Sequence, residues 1–261
     1  MLDTGKMGTD YTSFASVLDS VPSHALSNQA TNEGVDRAVC PLILAKCHVR
    51  DLGRLRYADA FALQQDLVAR RKAEEIPDQL LFVEHPHVIT LGRSAHGENV
   101  LASQEVLERA GIELHETDRG GDVTYHGPGQ VVGYPILDLR KWKRDVVAYV
   151  RGLEQVLIDA LREFGIASER VQGSTGVWTS AGKIAAIGVH ISRWVTTHGF
   201  ALNVETDLDY FRYIVPCGLT KPVTSMRALG CSVSCDTSRA EVTAALARNF
   251  GRVFDREMEI L

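Results

Sequence analysis

Residues 176–191, GVWTSAGKIAAIGVHI, read as two β-forming runs that turn back at Ser180–Gly182, and HGFALNV at 198–204 reads as a further strand. A hairpin followed by another strand does not fit a purely parallel sheet. Helical patterns lie between the remaining strand-like runs. The expected class is therefore α/β (α+β), a mixed β-sheet with flanking helices.

PLILAKCHV (41–49) is a short apolar strand. YADAFALQQDLVARRKAEEI (57–76) is a helix with Tyr57, Phe61, Gln64 and Val68 on one side and Pro77 beyond its end. QLLFVEHPHVITLG (79–92) holds two strands broken at Pro86. SQEVLERAG is a helix capped by Ser103 and stopped by Gly111, IELHET a strand, and VVGYPILDL another. Asp145 caps a helix with apolar residues at Val146, Val150, Leu153, Leu157, Ala160 and Phe164. Ser238 and Glu241 form a capping box before a last helix carrying Val242, Leu246 and Phe250. The chain has no internal repeat.

A length of 261 residues, 45% of them hydrophobic, suffices for one substantial core. Residues 1–40, rich in Ser, Thr, Asp and Asn and without Arg before Arg37, are expected to be a flexible extension, with the domain at 41–261. A net charge of −5 gives no electrostatic footprint for nucleic acid. No stretch of about 18 apolar residues reads as a membrane span, and the N-terminal residues, with no basic region followed by an apolar one, are not expected to be a signal peptide. A cytoplasmic protein is expected. Cys40, Cys47, Cys217, Cys231 and Cys235 are too few and too irregular for a disulfide scaffold, and the Cys231–Cys235 spacing lacks a second pair for zinc. No metal is expected.

Four stretches stand out. RGGDVTYHGPGQ, Arg119 to Gln130, concentrates glycine and proline beside polar side chains. It suits either a ligand approaching the backbone closely or a tight turn between strands, and composition alone does not separate the two. GKIAAIGV sets small residues, Ala185, Ala186 and Gly188, along a strand that begins with Lys183. They leave room for an extended apolar ligand, although such a strand is also ordinary sheet. HGFALNV repeats the pattern. In IVPCG, Pro216 and Gly218 hold Cys217 at a defined loop position, whereas a lone cysteine is most often a buried structural thiol.

In this order and at family-like separations, these motifs resemble the octanoyltransferases of lipoate biosynthesis, the lipoyl(octanoyl) transferase or lipoate-protein ligase B family, over roughly residues 42–254. The resemblance implies the biotin-protein ligase/lipoate ligase catalytic-domain fold. It implies a thiol–lysine pair, Cys217 as nucleophile with Lys183; the lysine is expected to lower the thiol pKa and to carry the proton in both half-reactions. It implies acyl-site segments Arg119, Gly120, Gly121, Asp122, Val123, Thr124, Tyr125 and His126; Ala186, Ile187 and Gly188; and Gly199, Phe200 and Ala201. The donor would be octanoyl-acyl carrier protein and the acceptor a lysine of a lipoyl-domain protein, the E2 subunits of 2-oxoacid dehydrogenases or the glycine-cleavage H protein. No cofactor is implied, and a monomer is expected. Where many relatives have Arg after IGV, this chain has His190.

An unperturbed thiol with pKa ~8.5 is only a few per cent thiolate at pH 7. Making it half ionised takes about 2 kcal/mol, and one ammonium within ~4 Å offers up to about 4 kcal/mol. The competing readings are an ATP-dependent lipoate or biotin-type ligase of the same fold, a non-catalytic acyl-binding protein, and a papain-like hydrolase. The last lacks a Cys-His signature around Cys217.

Overall fold

The computed structural model describes residues 44–215, 222–231 and 238–261. The expected extension at 1–40 lies outside the described residues. Eleven strands and four α-helices follow in the order β1 (Ala45–Arg54), α1 (Tyr57–Lys72), β2 (Asp78–Glu84), β3 (Val88–Leu91), α2 (Gln104–Arg109), β4 (Glu113–Glu116), β5 (Val123–His126), β6 (Gln130–Ile136), α3 (Val146–Glu163), β7 (Glu169–Val171), β8 (Ser174–Thr179), β9 (Gly182–Ser192), β10 (Val195–Asn203), α4 (Ser238–Phe254) and β11 (Arg256–Ile260).

Eight strands form one mixed sheet in the order β11-β1-β2-β6-β10-β9-β8-β7. β1 runs parallel to β11 and β2, and every pair from β2–β6 outward to β8–β7 is antiparallel. Helices α3 and α4 cover one face, where Leu153, Leu157, Leu246 and Phe250 meet Leu80, Phe82, Phe200 and Leu202. Helix α1 covers part of the other through Ala60, Leu67 and Val68 against Leu81, Val132 and Ala201. A second sheet, β4-β3-β5, carries its own small core with α2. The break at Pro86 therefore separates strands of different sheets.

The sequence reading differs from the structure in several places. Helix α1 ends at Lys72, not near residue 76, because Glu74 takes φ +61° and the Glu74 and Glu75 N–H groups donate back to the Arg71 and Arg70 carbonyls. Ser103 stands at the N-cap of α2 without a side-chain capping bond, whereas Asp145 accepts from the Ala148 N–H at 2.9 Å. Val146 is exposed, and Tyr149, Val156 and Leu161 fill the buried face of α3 instead. The Ser238 side chain of the capping box lies outside the described residues. Strands β7 and β11 escaped the sequence reading, β11 because REMEI is a charged edge strand.

A buried ionic knot ties α1 and β2 to β11. Asp78 on β2 accepts from Arg71 Nε on α1 and Arg256 Nε on β11, both at 2.7 Å, and from the Asp138 N–H at 3.0 Å.

Candidate active site

A cleft of about 430 Å³ lies where the glycine-rich segment, β9 and β10 meet. Cross-strand partners in an antiparallel pair share a face. Ala186 stands opposite Ala201, Gly188 opposite Gly199, and Ala201 in turn opposite Val132 on β6. The α1 side of three adjacent strands thus presents a strip of small side chains. A Cβ on Gly188 would lie 2.9 Å from the Gly120 carbonyl oxygen and 3.1 Å from Arg119 Cδ, so only glycine admits the loop this close.

That loop is Asp118–Asp122, and it is pinned from both ends. The Gly120 N–H donates to Val189 O at 2.9 Å, and Arg119 is turned inward: its Nη2 donates to Thr90 O (2.6 Å) and Oγ1 (2.9 Å), its Nη1 to Gly120 O. His198, buried at φ +59°, donates from Nε2 to Asp118 Oδ1 at 2.6 Å, and His190 Nε2 lies 3.8 Å from Asp118 Oδ2. Burial works against the Asp118 charge, but the His198 bond holds its carboxyl below the usual range. Burial likewise pulls His198 down, opposed by Asp118.

Residues 123–126 read as loop from their Gly and Pro neighbours, yet they form β5 against β3. Alternation then divides them. Thr124 and His126 face the cleft, whereas Val123 and Tyr125 enter the small core, where Tyr125 bonds His87 Nδ1 at 2.7 Å and stacks on Tyr210. Alternation equally sends the side chains of Ile187 and Phe200 to the α3/α4 face. These two and Val123 border the cleft through their strands, not by pointing into it. Asp122 accepts from the Val123 N–H and from Asn99 Nδ2, shaping the turn.

His126 belongs to a buried relay that the sequence reading missed. Gln130 Nε2 donates to Tyr125 O and Asn203 Oδ1, so its Oε1 must accept, and His126 Nδ1 donates to it at 2.7 Å. Asn203 Nδ2 completes the line by donating to Thr224 O at 3.0 Å. Burial pushes His126 down to about 3, so the imidazole is neutral with Nε2 as an acceptor. It ties the end of β5 to the start of β6 and offers no donor to an oxyanion. The signal was faint: Gln130 opens the otherwise largely apolar strand β6, and Asn203 closes the apolar run Phe200–Leu202 of β10.

Lys183 lines the cleft at the start of β9, with Nζ 5.3 Å from the Trp178 ring centroid. Its N–H donates to Pro222 O and its carbonyl accepts from the Thr224 N–H, both at 2.9 Å. Cys217, the other half of the expected pair, lies outside the described residues, in the segment between Val215 and this Pro222 anchor. Among the described residues no cluster of His, Cys, Asp and Glu is arranged for a metal, and no helix is long and apolar enough to cross a membrane.

A mixed sheet with a small-residue cleft roofed by a glycine-rich loop defines the class. Residues 56–251 match the family model of the lipoyl protein ligase A/B catalytic domain. The fold is shared with a lipoate-protein ligase A solved with ATP bound (TM-score 0.65, 17% identity, covering 84% of this chain and 90% of that one). It is shared too with a bipartite lipoate protein ligase from Thermoplasma acidophilum (TM-score 0.61, 17% identity, 84% and 87%). At the level of sequence the chain is 62% identical to an octanoyltransferase of Solibacter usitatus, over 82% of this chain and 96% of that protein. It is 55% identical to an octanoyltransferase of Koribacter versatilis, over 80% and 85%. The chain belongs to the octanoyltransferase family of lipoyl protein ligase A/B catalytic domains.

Proposed function

We propose that the protein moves an octanoyl group from octanoyl-acyl carrier protein to the ε-amine of a lysine on a lipoyl domain, through a thioester on Cys217. The observation that carries this reading is the strip Ala186–Ala201 and Gly188–Gly199 beneath the Arg119–Gly121 loop, an apolar slot with Lys183 on its wall. Burying about six methylenes there contributes about 5 kcal/mol.

The Cys217 thiolate attacks the donor carbonyl; the carrier sulfur leaves and takes a proton from the Lys183 ammonium. Neutral Lys183 then accepts a proton from the acceptor amine as that amine attacks the acyl-enzyme, and the Cys217 sulfur departs as thiolate. Splitting the transfer means the two protein partners need not be held together. The oxyanion takes its donors from backbone N–H groups beside Cys217 and from the Thr124 hydroxyl. The enzyme acts in the cytoplasm as a monomer without a cofactor.

Intact-protein mass spectrometry after mixing with octanoyl-acyl carrier protein, without ATP, tests the reading. The expected result is a hydroxylamine-sensitive octanoyl adduct that is lost in Cys217→Ala. Wild-type protein that acquires no adduct refutes it.

A further inference from the structure

Glu154 sits on the buried side of α3 with its side chain 1% exposed, among Leu153, Val156 and Leu157. A carboxylate so placed must be fully partnered. Its Oε2 accepts from Arg151 Nη1 at 2.7 Å and Arg170 Nε at 3.1 Å, and its Oε1 accepts from the backbone N–H of Gly176 at 3.1 Å.

Gly176 is where this bears on the cleft. Its φ of +121° is open to glycine alone, and a Cβ there would lie 2.6 Å from Lys183 Cε and 2.6 Å from Ala185 O. The lysine stem therefore passes directly over the Gly176 backbone. The β8–β9 ladder is also irregular at this point. Val177 pairs with Ala185 and Trp178 with Lys183, so Ile184 is the extra residue of a β-bulge. Such a bulge re-aims the side chains beside it. Gly176 and Trp178 on β8 thus hold Lys183 from below and from the ring side, and the Gly176 N–H is in turn held by the Glu154 side chain.

We propose that Glu154 is a positioning residue for Lys183: by fixing the Gly176 backbone from within α3 it sets where the Lys183 ammonium stands in the cleft. The proposal rests on the reading of Lys183 as the proton-transfer group. Arg151 and Arg170, with side chains 49% and 33% exposed, stay solvated when the carboxylate is changed, so the variants do not strand a buried cation.

The test compares Glu154→Ala, Glu154→Asp and Glu154→Gln in the full chain, with octanoyl-acyl carrier protein as donor and an isolated lipoyl domain as acceptor. Steady-state rates are read together with the pH midpoint of Cys217 alkylation, followed by peptide mass spectrometry. Ala and Asp withdraw the acceptor from Gly176, and kcat is expected to fall roughly tenfold or more with KM for the donor within about twofold, because a displacement near 1 Å at a reacting group costs up to ~100-fold. The alkylation midpoint moves upward with it. Gln keeps an acceptor for the Gly176 N–H and recovers most of the rate. If Glu154→Ala does not fold, Glu154→Asp carries the test. Variants of lowered Tm with wild-type kcat and an unmoved midpoint overturn the proposal. Lys183→Ala separates the two readings: if it keeps the wild-type rate, the role of Lys183 fails and that of Glu154 with it, and if it loses the rate while the Glu154 variants do not, only the Glu154 proposal fails.

Discussion

Mild acid should destabilise this protein chiefly through its buried histidines. Burial pushes His126 down to about 3 and His85 down to about 4; both serve as neutral rings, His85 donating from Nδ1 to Leu55 O while Nε2 accepts from the Tyr134 hydroxyl. In the unfolded chain each titrates near 6.5. Between that value and the folded one the unfolded state binds more protons, so stability is full above about pH 7 and is lost as the pH falls through 6.5 toward 4. At pH 5.5 an unfolded histidine carries about 0.9 proton, and two of them give a slope of about 2.5 kcal/mol per pH unit. Burial pulls His87 and His198 the same way. Unfolded Asp and Glu titrate near 4, at the foot of this window, and contribute less than the histidines above pH 5. Denaturant unfolding at half-unit steps from pH 7 to 5 measures the slope. His126→Gln, which still offers an amide donor to Gln130, should reduce it by about 1.2 kcal/mol per pH unit whatever it does to absolute stability. A flat profile, or an unchanged slope in His126→Gln, refutes the assignment of a neutral buried ring.

Ala201→Leu places three carbons into the slot opposite Ala186; denying about three methylenes of the acyl chain costs about 2.4 kcal/mol, roughly 60-fold in kcat/KM. The loss should appear with octanoyl donors and shrink with butanoyl ones, and equal losses on both would place the chain elsewhere. Asp78→Asn should cost about 3–5 kcal/mol, a Tm drop of roughly 10 °C, because it leaves the buried Arg71 and Arg256 without their shared carboxylate. Calorimetry showing a drop under 2 °C would mean that the knot is dispensable.

The mixed sheet was legible because its strongest signals are local: the turn at Ser180–Gly182, the helical stripe of α3 and the N-cap at Asp145 depend on neighbours in sequence. What stayed hidden was set by distant partners. REMEI becomes a strand only because β1 offers it a parallel edge, and residues 123–126 become one only because β3 lies beside them. Glu154 looks like a solvated charge in a helix until Arg170 and the Gly176 N–H, both far along the chain, are brought to it.

For the cleft, motif and periodicity err in complementary ways. A motif marks contiguous residues, Ala186 to Gly188 and Gly199 to Ala201, whereas a strand sends every second side chain to the opposite face. Their intersection is Ala186, Gly188, Gly199 and Ala201. Ile187 and Phe200 then take a different part, filling the α3/α4 core behind the strip and thereby holding the two strands in the register that sets the small residues opposite one another. A substitution at Phe200 should accordingly change stability first and acyl preference only through that register. One at Ala201, which lines the slot and also packs beneath α1, should change acyl preference directly as well as stability. The alternation thus turns a run of family-like residues into two physically different sets.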